Sequence, residues 1–147
     1  MFSEKDATSY LMRIGIPASI LGFQYVRTAL MLAGEDGALV YEVTTRLYPE
    51  IARRHNTTAQ RAERAIRHAI ELAWERGDYD FQHEVFGYSI SPARGKPTNS
   101  EFVSRSVDYL HANTAPAGSY PAAPDSLKRE FLLLWDMFCK QRERATT

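Results

Sequence analysis

Three arginines stand three residues apart in the stretch TTAQRAERAIRHAIELAW: Arg61, Arg64 and Arg67, with His68 directly behind. Arginine carries a planar fork of donors that can take guanine O6 and N7 with two hydrogen bonds or grip a phosphate, whereas lysine is a point charge. Between residues 46 and 68 six arginines (Arg46, Arg53, Arg54, Arg61, Arg64, Arg67) face two glutamates, Glu50 and Glu63, an excess of four positive charges. The whole chain holds 18 basic and 18 acidic residues, so any attraction to a polyanion must be local to that window. The competing reading is a solvated face: Glu63 and Glu71 each lie four residues from Arg67 and can hold it within the helix.

Other chemistry is scarce. His55, His68, His83 and His111 show no metal-ligand spacing such as H-x-x-x-H. The single cysteine, Cys139, excludes an intrachain disulfide and a cysteine zinc site. No glycine-rich phosphate loop follows a strand pattern, and Glu63, Glu71 and Glu75 read as helix surface rather than a catalytic pair. The expectation is a non-enzyme with no cofactor. No apolar run approaches the roughly 18–20 residues of a membrane span, and MFSEKDATSY lacks the regions of a signal peptide, so a cytoplasmic location is expected.

The elements that must carry the arginines are helical, and the fold class expected is all-α. Residues 5–14 read as a short helix closed by Gly15, residues 18–33 as a second, and residues 38–47 as a third with Leu39, Val43 and Leu47 four apart. Pro49 suits the first position of a fourth, PEIARRH. The helix from 58 to 76 has the clearest pattern: Ala62, Ala65, Ile66, Ala69 and Ala73 fall on one side, and Gln60, Arg61, Arg64, His68, Glu71 and Glu75 opposite. Thr57 with Gln60 has capping-box spacing, and Gly77 ends the helix. Ala52, Asn56 and Ala62 fall where a helix-turn-helix needs a small residue, a turn residue and a small core residue; the second helix of that motif enters the major groove by its N-terminal half. Tyr10, Phe23, Tyr25 and Trp74 are expected in the core. Residues 78–97 are less regular; within them FGYSISPARGKP, residues 86–97, reads as a loop, with a short hairpin around Pro92 and Gly95 as the alternative. Thr98 with Glu101 opens another helix, through about 112. The domain expected is 1–113, followed by a Pro/Ala linker at 114–126 and a C-terminal amphipathic helix and tail at 127–147.

The stretches IGIPASILGFQYVRTAL, LYPEIARRHNTTAQRAERAIRHAIELAWERG, FGYSIS and GKPTNSEF, in this order from about residue 8 to 110, closely resemble the C-terminal effector domain of the stage-zero sporulation response regulator, the master regulator of endospore formation. The resemblance implies an all-helical domain with an embedded helix-turn-helix that binds double-stranded DNA at short promoter boxes of the TGTCGAA kind. It places Arg61, Glu63, Arg64, Arg67 and His68 on the recognition helix and Thr57 and Thr58 at its entry. Gln60 on the same face and Lys96 beside the second capping box complete the candidate DNA-binding set. The family's polymerase-contacting region maps onto about 77–90, which makes the RNA polymerase sigma subunit a further partner implied by the resemblance. Phe81 and His83 depart there from the small polar residues usual in the family.

Two further departures shape the expected function. The family's receiver domain, whose phosphorylation drives dimerisation, has no counterpart here, so regulation without phosphorylation control is expected. The segment after 113 matches nothing in the family. Its stripe of Leu127, Phe131, Leu134, Trp135 and Phe138, widened by Leu132, Leu133 and Met137, is the expected dimerisation surface; folding back onto its own domain is the alternative. The function expected is a sequence-specific transcriptional regulator. The competing class is a helical interaction module, or decoy, acting through the last helix.

Overall fold

The computed structural model describes residues 1–91 and 93–114; the C-terminal helix and dimerisation stripe expected beyond them, Cys139 and Pro92 lie outside the described residues. Among the described residues six α-helices and no strand are found, which matches the all-α expectation and removes the hairpin alternative.

The first helix, α1 (Glu4–Ile14), starts on a reciprocal cap between Ser3 and Asp6 and stops at Gly15, whose φ of 109° belongs to the left-handed region that glycine enters without strain. The second, α2 (Leu21–Glu35), buries Phe23, Tyr25, Val26, Ala29 and Leu30. The expected third helix over 38–47 is not one α-helix. A 3₁₀ turn covers Gly37–Tyr41, the backbone breaks at Glu42, and a π turn covers Val43–Leu47. The Asp36 side chain caps Ala38 and starts the 3₁₀ turn. The Glu42 carbonyl then accepts from both Arg46 and Leu47, a widened turn through the β-branched Val43, Thr44 and Thr45 that α-helix tolerates poorly. It runs directly into α3 (Tyr48–Arg54), so Pro49 stands second in that helix rather than first.

Next come α4 (Ala59–Arg76), α5 (Tyr79–Phe86) and α6 (Asn99–Asn113). The start of α4 is capped by Thr58, whose hydroxyl accepts from the Arg61 N–H; the capping box expected one residue earlier, on Thr57, is not formed. Helix α5 lies in the stretch whose sequence is too irregular to assign an element. Its signals are short: Asp78 caps Phe81, and Gly87 ends it at φ 53°. Eight residues rich in aromatics leave little periodicity to read. Thr98 caps α6 through Glu101 N–H as expected.

One core joins these helices, with Leu11, Ile14, Leu30, Ile51, Ile66, Ile70, Phe86 and Phe102 fully buried. Tyr10, Phe23 and Tyr25 are buried as expected, and Trp74 is partly buried with its ring edge-on to Phe86 at 5.1 Å. Two polar ties cross the core: the Tyr10 and Ser106 hydroxyls meet at 2.7 Å, and burial pushes the Tyr10 phenol well above its ordinary range. The buried Gln82 amide donates to the carbonyls of Ile14, at 3.0 Å, and Ala73, at 2.7 Å, which fastens α5 to the last turns of α1 and α4. Helix α2 approaches α4 so closely that a Cβ on Gly22 would lie 2.4 Å from the Ala65 carbonyl oxygen and 2.9 Å from the Ala69 Cβ. The small side chains of α4 serve this contact, as their pattern predicts.

Candidate nucleic-acid interface

Helices α3 and α4 are joined by His55–Thr58. Asn56 takes φ 53°, a left-handed conformation that asparagine adopts more readily than other residues with a Cβ. The chain turns there, and the Thr57 N–H returns to the Ala52 carbonyl at 2.9 Å. Ala52 and Ala62 are both buried, so the two helices meet through the small residues their positions require. His55 anchors the turn to α2, with Nε2 2.7 Å from the Thr28 hydroxyl and its ring 4.9 Å from that of Tyr25.

The face of α4 turned away from this contact carries Gln60, Arg61, Arg64, Arg67 and His68, all exposed; Thr58 is exposed and Thr57 half-buried at the entry. The arginines of the charged window are not equivalent. Arg46 pairs with Glu42 at 2.6 Å and Asp36 at 3.1 Å, Arg53 with Glu50 at 2.5 Å, and Arg54 with Glu50 at 3.2 Å. Hydrogen bonds from Arg53 and then Arg54 hold the Glu50 carboxyl down to about 2. Arg67 reaches back one turn to Glu63 at 3.3 Å. The second hold on Arg67 that the solvated-face reading allows, from Glu71, is not made: Glu71 pairs with Lys96 at 3.2 Å. Arg61 and Arg64 make no ion pair with any described residue. Among the described residues the positive window thus narrows to two guanidinium groups without an ion pair and one, Arg67, held by an exchangeable surface pair.

Lys96 lies half-buried in the segment before α6, tied across to α4 rather than standing alone. Between that segment, the π turn and α4 runs a groove of about 670 Å³ lined in part by Val43, Tyr48, Glu63, Arg67, Ile70 and Lys96. Two residues that sequence reasoning passed over support the site from behind: Tyr48, which looks like an ordinary core aromatic, and Asn99, which looks like an ordinary first-turn residue of α6.

In α5, Phe81 is buried against Tyr10 and Tyr109, with Arg13 4.0 Å above its ring. The surface of that helix is left to Tyr79, Asp80, His83 and Glu84. Among the described residues no cluster of His, Cys, Asp or Glu has metal-site geometry, and no described helix is long and apolar enough to cross a membrane.

A bundle in which a short helix, a left-handed turn and a capped arginine helix share one small-residue contact defines a helix-turn-helix domain. Residues 7–110 match the family model described as Sporulation initiation factor Spo0A C terminal. The chain belongs to that family, the DNA-binding effector domains of sporulation transcription regulation.

Proposed function

We propose that this chain binds short promoter boxes sequence-specifically through the exposed face of α4. The observation that carries this is the pairing pattern: on the N-terminal half of the helix Arg61 and Arg64 pair with no described carboxylate, while neighbouring arginines are neutralised by carboxylates. Arg61 and Arg64 are suited to guanine O6 and N7 or to phosphate, and Glu63 to the amino group of cytosine. Arg67 joins them when it leaves Glu63. Gln60 and His68 flank the face, Thr57 and Thr58 offer hydroxyls at its entry, and Lys96 supports the rim. The test is binding of the intact chain to a duplex holding a TGTCGAA-type box against a scrambled duplex of equal length and salt. Preference for the box by tenfold or more is expected; equal affinity rules the proposal out.

Nothing in these 147 residues resembles a receiver, so their DNA binding is proposed to be independent of phosphorylation. Treatment with a small phosphoryl donor should leave the affinity unchanged. A second copy is proposed to join through the stripe Leu127, Phe131, Leu134, Trp135 and Phe138, since two half-sites bound together gain over one. Sedimentation of the intact chain at micromolar concentration checks this, and a monomer there excludes the dimer. Contact with the polymerase sigma subunit, through the exposed side of α5, is the further partner proposed from the family. Such a protein acts where the chromosome is, in the cytoplasm.

A further inference from the structure

Asn99 is the first residue of α6, directly after the capping Thr98. Its amide nitrogen donates to the Tyr48 hydroxyl oxygen at 3.0 Å, at the start of α3, and to the main-chain carbonyl of Glu63 at 3.2 Å, inside α4. A carbonyl only accepts, so the nitrogen of this amide, not its oxygen, must face α4. One side chain therefore joins three helices at the turn that carries the Glu63–Arg67 pair.

The opposite side of α4 is located by contact, where Gly22 lets α2 close onto Ala65 and Ala69. On the Asn99 side lies the open groove, whose lining includes Tyr48, Glu63, Arg67 and Asn99. Unfilled space gives a helix no packing to lean on, so directional hydrogen bonds must set its position there. Half-buried groups make such bonds firmer than they are in open water; burial raises the Tyr48 phenol above its ordinary range.

We propose that Asn99 is a positioning residue for base recognition: by holding the Glu63–Arg67 turn of α4 against α3 and α6, it sets which base edges Arg64 and Arg67 reach, without touching DNA itself. Because this rests on the proposed DNA-reading role of α4, its test must separate the two.

The intact chain is compared with Asn99→Ala, Asn99→Asp and Tyr48→Phe. Alanine removes the donor without adding charge. Ionised aspartate also cannot donate, yet an acidic residue in the first turn favours the helix. Phenylalanine keeps the ring and removes one acceptor. Affinities for the box duplex and the scrambled duplex are measured at one salt concentration, with thermal midpoints alongside. Asn99→Ala and Asn99→Asp are expected to lower the ratio of the two affinities about tenfold, or about 1.4 kcal/mol, while scrambled-duplex affinity under Asn99→Ala stays as in the wild type. Tyr48→Phe should lower the ratio less, because the bond to Glu63 remains. A wild-type ratio in Asn99→Ala overturns the proposal, and so does a parallel loss on both duplexes with a lowered midpoint, which marks a merely structural role. If Asn99→Ala does not fold, an unchanged ratio in Tyr48→Phe overturns it. Equal binding of both duplexes by the wild type instead removes the DNA-reading role, and this inference with it.

Discussion

At the scale of single residues, the pairing of each arginine decides what it can do for a ligand. Arg64 has no carboxylate partner among the described residues, which leaves its fork to a base edge or a phosphate. Arg64→Ala is expected to cost about 1–3 kcal/mol on the matched box and to relax preference at one base position. Arg53→Ala, whose guanidinium Glu50 holds, should leave base preference intact. Competition binding against single-base variants of the box checks both, and equal relaxation by the two would show that the pairing does not matter. Glu50 itself reports on acid stability. Its carboxyl titrates near 2 in the fold against an ordinary 4.5, so the fold favours its charged form. That contribution is complete above about pH 4.5 and disappears as pH falls towards 2. The gap in thermal midpoint between wild type and Glu50→Gln should therefore close over that interval, and a gap independent of pH would contradict it. Much of this site was legible beforehand, because Ala52, Asn56 and Ala62 are dictated by the local geometry of two crossing helices. The pairing of Arg46 with Asp36 and of Lys96 with Glu71 was not, since those partners lie ten and twenty-five residues away along the chain.

At the scale of elements, the contact of α2 with α4 fixes the reading helix from inside. Gly22→Ala forces a methyl group into the Ala65 carbonyl and the Ala69 side chain, and neither is the far end of a flexible chain. Overpacking of this kind costs about 1–3 kcal/mol, less a small gain in helix propensity. Urea denaturation should show the loss as a lower midpoint; an unchanged or raised midpoint would mean that the helices part without cost. Long helices with one apolar stripe, α1, α2, α4 and α6, were readable from periodicity and caps. The segment 37–47 was not, because Leu39, Val43 and Leu47 keep helical spacing while the backbone tightens and then widens around Glu42. Helix α5 was missed for another reason: it is held by Gln82 reaching carbonyls of α1 and α4, a tertiary bond that no local pattern announces.

At the scale of the whole molecule, neutrality and local charge coexist because carboxylates sit beside most arginines of the window. Binding to DNA should then displace few counterions. The log–log slope of affinity against salt is about −0.9 per phosphate neutralised. With Arg61 and Arg64 in no ion pair with a described residue and Arg67 exchangeable, a slope of roughly −2 to −3 per domain follows from that relation. Titration at several salt concentrations checks it, and a flat dependence would mean that the arginines face only water. The same pairing has a consequence for how the protein travels. A neutral body with one small patch feels little long-range pull from a chromosome, and most orientations on meeting it are unproductive. Copies would spend little time trapped on irrelevant sequence and would find their boxes by repeated brief collisions rather than by long one-dimensional excursions. Glu63 and Glu50 would thereby shape the traffic of the regulator as much as its grip.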